Sequence, residues 1–179
     1  MRPTPATRRK GTRRAHPIVP SRDVVERAIR ECYEGPAWQG PNLRGALRGV
    51  RARDARRRPL RGRHTIWELV LHLAYARHRI AGRLRGAPDR RFPRPLRTNW
   101  WPHTPSRQDD RHWRADLALL AESQAELLAA LSAAPKGRLA GRRQGKAWSL
   151  AQEALGVANH DAYHTGQILL LRKPARRRA

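Results

Sequence analysis

Two histidines four residues apart, His160 and His164, are the side chains of this sequence best suited to chemistry. On a helix, residues at this spacing lie one turn apart on the same face. Val157 and Ile168 share that face, so both imidazoles are expected to point into an apolar core. A shared metal would satisfy both, because neutral imidazole is a common metal ligand. Two core histidines with separate hydrogen bonds to backbone or hydroxyl groups would fit equally well, so the pair alone leaves both interpretations open.

A third histidine, His72, lies at the edge of the apolar stripe of an earlier helix, where it can reach a neighbouring helix. Three imidazole ligands from two helices would leave coordination positions open on a metal, which is typical of reactive sites. His78 is expected to project from the face opposite the apolar stripe. The remaining histidines are interpreted as surface, tail or loop residues: His16, His64, His103 and His112.

Gln167 and Glu68 are the candidates for supporting the ligands without touching the metal. Gln167 shares a helix face with His164, and its amide could orient a ligand or a bound water. Hydrogen bonding between helices is an equally good interpretation of Gln167. Glu68 lies one turn before His72 and could accept a proton from its imidazole, although a first-turn helix charge is the preferred role. Tyr163 is expected to pack near the pair, and Asp161 is expected to point away from the metal.

Four amphipathic segments are predicted to be the long helices that position these residues: 21–34, 65–85, 109–133 and 149–172. Shorter helical turns are predicted at 43–47 and 53–58, and a Pro-rich connection at 87–108 carries Trp100 and Trp101, which should cover a core edge. No segment alternates with period two for long enough to predict a strand. The pattern therefore predicts an all-α four-helix bundle with a long crossover between the second and third long helices.

The net charge of +25 is extreme and would normally indicate an anionic partner such as nucleic acid. The basic residues are almost all arginine and are spread along the chain, which a GC-rich coding sequence could produce without selection for a partner. A dispersed excess of charge indicates a solvated surface rather than a basic patch that recognises a groove of nucleic acid. We therefore expect non-specific, salt-sensitive binding of nucleic acid and no specific recognition.

The ends of the chain are predicted to be basic tails, at 1–20 and 174–179, that flank one bundle domain at 21–173. The single cysteine, Cys32, is placed for helix packing and excludes an intramolecular disulfide. The basic N-terminus has no apolar run behind it, and no stretch approaches the length of a membrane helix. These features predict a cytoplasmic protein that does not engage a membrane.

Three segments resemble the DinB-like superfamily: residues 64–75, residues 148–168 and the stretch Gly35–Pro41. The most specific is the run that begins at His160: His-Asp-Ala-Tyr-His-Thr-Gly-Gln-Ile. With the order of the segments, the resemblance covers roughly residues 21–173. It implies a four-helix bundle with up-down-down-up connectivity and a divalent metal on His72, His160 and His164. It also implies a transferase or related enzyme that uses a low-molecular-weight thiol at that metal, and a homodimer is plausible for a bundle.

Other functions stay open on the sequence alone. Zn, Ni, Fe and Mn all accept imidazole, so the identity of the metal is not determined. The spacing of His160 and His164 is also that of the zinc-protease motif His-Glu-x-x-His, which allows a hydrolase of a small substrate, although Asp161 replaces the usual glutamate. A non-catalytic nucleic-acid-binding protein and a purely structural metal are the remaining alternatives.

Overall fold

A computed structural model describes residues 19–59, 61–88 and 90–172 of the chain. The described part is mostly helical, which confirms the all-α class. Its helices are α1 (Arg22–Tyr33), α2 (Leu43–Leu47), α3 (Ala52–Ala55), α4 (Ile66–Arg85), α5 (Asp110–Ala133), α6 (Lys136–Ala140) and α7 (Leu150–Arg172). The predicted tails lie almost wholly outside the described residues, so the domain boundaries stay a prediction.

The starts of the long helices follow the capping residues that the sequence offers. Thr65 and Glu68 form a reciprocal capping box at the start of α4, and Ser149 and Gln152 do the same at α7. The Ser21 hydroxyl accepts a hydrogen bond from the backbone of the first turn of α1. These caps explain why the predicted boundaries of the long helices agree with the observed ones within about two residues.

Two short elements escaped prediction. A ribbon of two antiparallel strands, β1 (Leu96–Thr98) and β2 (Trp101–Pro102), lies within the connection between α4 and α5. The expectation that the chain has no strand was therefore wrong, because strands of two or three residues are too short to show a period-two pattern. The other is α6, a short helix between α5 and α7 whose five residues are too few to show helical periodicity.

Hydrogen bonds donated by side chains establish the relative directions of three long helices. Three successive bonds join α4 to α5: Trp67 to Asp116 at 2.7 Å, Arg77 to Gln124 at 2.9 Å and Arg85 to the Glu126 carbonyl at 3.1 Å. Both helices therefore run in the same direction. The end of α4 meets the start of α7, where Arg83 donates to Glu153 at 2.8 Å, so these two helices are antiparallel.

Helix α4 is the central element of the core and is buried on nearly every side. One apolar cluster surrounds its first half and a second surrounds its last turns together with α1 and the start of α7. His78 belongs to this buried surface, since its side chain is 6 % exposed and its Nε2 lies 2.8 Å from the Arg90 carbonyl oxygen. The prediction that His78 projects away from the core was wrong because the connection after α4 covers that face. No helix among the described residues is long and apolar enough to cross a bilayer.

Candidate metal centre

Three imidazoles converge between α4 and α7. His160 and His164 stand one turn apart on α7, and His72 faces them from the second turn of α4. The Nε2 atom of His160 lies 3.0 Å from Nε2 of His72 and 3.0 Å from Nε2 of His164. One nitrogen from each ring falls in a group whose members all lie within 4.8 Å of one another. The structure thus brings together the three residues that the sequence singled out.

The opposite ring nitrogens are held by hydrogen-bond acceptors. Nδ1 of His72 donates to the backbone carbonyl oxygen of Trp100 at 2.7 Å, and Nδ1 of His164 donates to Oε1 of Gln167 at 2.8 Å. A proton on Nδ1 of a neutral imidazole leaves Nε2 as a bare lone pair. Both acceptors therefore turn the lone pairs of their imidazoles toward the centre, as the outer partners of metal-ligating histidines do.

The donor set fits a cation. His160 can carry at most one proton on Nε2 and can donate it to only one of its two neighbours. In at least one of the two 3.0 Å contacts, the two nitrogen lone pairs therefore face each other with no proton between them. A divalent metal would satisfy all three nitrogens together. The observed 3.0 Å spacing is also close to the roughly 3.3 Å that separates two nitrogens bound to one tetrahedral zinc at ordinary bond lengths.

Burial keeps these imidazoles neutral. It lowers the pKa of His72 to about 4 and the pKa of His160 to about 3, and the positive charge that a neighbouring imidazole would carry opposes protonation further. Burial also lowers the pKa of His164 below its ordinary value. Neutral imidazole is the ligating form, so at neutral pH the centre needs to lose no proton before it accepts a metal.

Two adjacent tryptophans close one side of the centre. The Trp101 ring stacks on His72 at 4.1 Å and on His64 at 3.5 Å, so it lies between the two imidazoles. Trp100 has a left-handed backbone with φ of 72°, an uncommon conformation for a bulky residue, and it supplies the carbonyl that holds His72. The prediction that the indoles cover a core edge is confirmed. The role of the Trp100 carbonyl carries no sequence signal, because every residue has one.

A cavity of about 490 Å³ opens onto two of the three imidazoles. Its wall includes the imidazoles of His72 and His164 and the amide of Gln167. Apolar surface from Leu170 and Tyr163 lines the outer part, and Tyr163 is 64 % exposed there, in place of the packed position that the sequence indicated. A cavity of this size that reaches reactive side chains is suited to a small molecule.

The two supporting candidates have different positions. Gln167 contacts His164 directly, through the hydrogen bond to Nδ1. Glu68 instead accepts hydrogen bonds from the Thr65 backbone at 2.7 Å and from Arg58 at 3.0 Å. It is therefore a charge in the first turn of α4, which is the role that the sequence favours. The structure therefore does not bring Glu68 to the imidazole of His72.

A buried ion pair that the sequence did not suggest lies behind the centre. Asp161 points away from the imidazoles, as expected, and accepts a hydrogen bond from Arg77 at 2.5 Å, with both side chains fully buried. Burial raises the pKa of Asp161 and the Arg77 guanidinium opposes that shift. Arg77 also donates to Gln124 at 2.9 Å and to the Leu73 carbonyl. Arg77 occurs in a chain rich in arginine, and nothing in its sequence context marks it as buried.

Comparison with known proteins adds the family. Searches of curated proteins and of solved structures found no match to this chain. The family model described as the DinB superfamily matches residues 37–168, which is well over half of the chain and includes all three histidines. That match spans the histidine centre between α4 and α7 and shows that the chain belongs to the DinB superfamily.

Proposed function

We propose that this protein holds one divalent metal on His72, His160 and His164 and is a metal-dependent transferase, or a related enzyme, that uses a low-molecular-weight thiol. The observation that carries the proposal is the convergence of three Nε2 atoms, with His72 and His164 also lining an open cavity. Three protein ligands leave room on the metal for a further group. When bound, the metal would lower the pKa of a thiol and hold the thiolate as a nucleophile.

The residues around the centre have distinct parts in this proposal. The Trp100 carbonyl and Gln167 hold the imidazoles of His72 and His164 in the ligating orientation. Trp101 covers one side of His72 and restricts water there. The cavity beside Tyr163 and Leu170 would admit the thiol and the second substrate. Cys32 packs with the second apolar cluster, on α1, away from the centre, so the proposal assigns the role of nucleophile to the thiol cofactor.

The fold belongs to the same proposal. We assign α1, α4, α5 and α7 to a four-helix bundle with up-down-down-up connectivity. The parallel pairing of α4 with α5 supports it, because a long crossover must return the chain to the end where α4 began. The antiparallel contact of α4 with α7 agrees with the same wiring. The proposed connectivity would account for how His72 and the pair on α7, from two distant chain segments, come to face each other.

The hydrolase alternative through a general base on α7 receives no support from the site. In the protease motif the acidic residue next to the first histidine must reach a metal-bound water. Asp161 occupies that position here, but it is fully buried and ion-paired with Arg77. A carboxylate held in this way cannot act as the base.

Elemental analysis of the purified protein tests the metal. We expect close to one divalent metal per chain in the parent and a strong loss in a His160→Ala, His164→Ala double variant. His103→Ala, at an exposed loop histidine, is the matched control and should keep the metal. A parent that is isolated without metal and takes up none of Zn, Ni, Fe or Mn would overturn the proposal.

The thiol is tested separately on the metal-loaded protein. Loading with Ni²⁺ and adding cysteine or glutathione should produce a sulfur-to-metal charge-transfer absorption, which the double variant should lack. If nickel binds but neither thiol alters the spectrum, and no thiol-dependent transfer is detected, the metal site stands and the thiol assignment fails. Salt-dependent nucleic-acid binding that is indifferent to the double substitution would favour the non-catalytic alternative.

A further inference from the structure

A second and larger cavity lies away from the histidines, between α5 and the segment that contains α1 and α2. Its volume is about 870 Å³, and none of the three metal-centre histidines lines it. Helix α5 packs closely on α4, whereas α1 touches α5 only sparsely, so this side of the helix assembly stays open. Crevices between the helices of bundles are common places for small-molecule sites.

The buried amide of Gln124 lines this crevice. Its side chain is 3 % exposed, and its Oε1 accepts the hydrogen bond from Nε of Arg77 at 2.9 Å. A guanidinium only donates hydrogen bonds, so the oxygen of the amide has to face Arg77 and the Nε2 group has to face away. Nε2 has no hydrogen-bond partner in the described part of the chain. A buried donor without a partner is costly, which points to an acceptor that the chain itself does not supply.

Other buried polar atoms without a partner do not share this position. Among the described residues they are Arg22 Nε, His64 Nδ1, Asp161 Oδ1 and Thr165 Oγ1. None of these residues lines the crevice. Gln124 is therefore the one among them that both lines this cavity and keeps an unused donor.

The mouth and the walls of the crevice differ in character. Arg30, Arg44 and Arg48 line it, and all three are exposed. Arg30 pairs with Glu26 and Arg44 with Glu34, whereas Arg48 forms no ion pair within the described residues. The walls are leucine side chains from α2 and α5, among them Leu47, Leu117 and Leu128. The crevice thus combines an apolar wall, a positively charged opening and the unpartnered amide donor of Gln124.

We propose that this crevice binds an apolar carboxylate that carries a carbonyl oxygen on its buried end. The carboxylate would stay at the opening near Arg48, because a charge taken to full burial loses far more solvation than a neutral carbonyl does. The carbonyl would accept the hydrogen bond from Nε2 of Gln124, and the apolar body would cover the leucines. This site is independent of the proposed metal chemistry.

Calorimetric titration of the full chain tests the site. The probes are the terminal methyl-ketone derivatives of hexanoic, octanoic and decanoic acids, each compared with its unsubstituted parent acid. At the chain length that matches the crevice, the keto acid should bind about fivefold more tightly than its parent acid, which is the effect expected of one net hydrogen bond. Affinity should fall with salt, and the corresponding ketone amine should bind weakly or not at all.

Three variants assign the contacts. Gln124→Glu keeps the acceptor for Arg77 but replaces the donor with an oxygen, so the preference for the ketone should vanish. Arg48→Gln should weaken all of the acids and reduce the salt dependence. Ala121→Trp places an indole at an exposed lining position and should abolish binding, whereas Ala129→Trp, exposed on the same helix but outside the lining, should not.

The same experiment contains the results that would overturn the proposal. Equal affinity for ketone and parent acid, unaffected by Gln124→Glu, would mean that Gln124 holds only an internal water. A dimer in sedimentation that is lost in Ala121→Trp, with no binding of any acid, would assign the crevice to a second copy of the chain. The His160→Ala, His164→Ala variant should bind the ketone normally, so failure of the metal proposal and of this one are separable.

Discussion

At the residue scale, the centre depends on the atoms that hold the outer ring nitrogens. An imidazole ligates a metal only through a nitrogen without a proton, so the acceptor on Nδ1 decides whether Nε2 is available. His72 relies on a backbone carbonyl, which no substitution of a side chain can remove directly. His164 relies on the side chain of Gln167 and is therefore the accessible test of this arrangement.

Substituting Gln167 should change metal affinity without removing a ligand. Gln167→Leu leaves Nδ1 of His164 without an acceptor, and we expect the affinity for Zn²⁺ to fall by about 10- to 100-fold. Gln167→Glu keeps an acceptor at the same position and should retain most of the affinity. Competition with a fluorescent zinc chelator measures both. Equal affinities for the two variants would show that this hydrogen bond does not orient the ligand.

At the element scale, α4 connects the other long helices through one buried guanidinium. Arg77 reaches Gln124 on α5 and Asp161 on α7, and it lies over the ring of Tyr33 on α1 at 5.3 Å. An apolar residue would contact these three helices without specifying their relative positions. The hydrogen bonds of a guanidinium have fixed directions, so we expect Arg77 to favour the arrangement in which His72 lies opposite the pair on α7.

Removing Arg77 should destabilise the fold strongly. Arg77→Met leaves the Asp161 carboxylate buried without a partner, which we expect to cost about 3–5 kcal/mol in the free energy of unfolding. Arg27→Met removes the same functional group from an exposed pair with Glu31 and should leave the urea midpoint nearly unchanged. Urea denaturation compares them. Similar midpoints for both variants would contradict the structural role of the buried pair.

At the scale of the whole molecule, acidic side chains are few, and many of them form ion pairs with arginines. Glu153 pairs with both Arg83 and Arg143, and Asp116 pairs with Arg94. These pairs join separate elements, so part of the high positive charge has a structural use. The remainder is spread over the surface and is consistent with a protein that binds polyanions weakly and without sequence preference.

The metal-free protein should lose stability on mild acidification. The pKa of His72 is lowered from 6.5 to about 4 and that of His160 to about 3, whereas an unfolded chain protonates both near 6.5. As pH falls below 6.5, the unfolded state binds more protons, so the free energy of unfolding decreases until the folded pKa values are reached. Urea midpoints of the metal-free protein between about pH 7 and pH 5 measure this.

The variant without the pair on α7 is the comparison for that pH dependence. His160→Ala with His164→Ala removes two of the shifted groups, so its midpoint should decline less over the same range. Above about pH 5 most carboxylates stay ionised in both proteins, which isolates the contribution of the histidines. Parallel declines would show that other groups govern the loss of stability.

The amino-acid sequence by itself determined the long helices, their caps and the three histidines. Helical periodicity and capping are local properties, and His160 and His164 share a face through spacing alone. The family was predicted from the same local patterns, and the match over residues 37–168 confirms it. These features are readable because each depends on residues within one or two turns of each other.

Only the tertiary structure decided what holds these elements together. The partners of Arg77 are 47 and 84 residues away, at Gln124 and Asp161, and the acceptor for His72 is a backbone carbonyl in a connection. The burial of His78 and the crevice above Gln124 depend on segments that pack from elsewhere in the chain. A sequence pattern records the type of each residue and of its neighbours along the chain, whereas desolvation and unpaired hydrogen bonds depend on which distant atoms come to lie beside it.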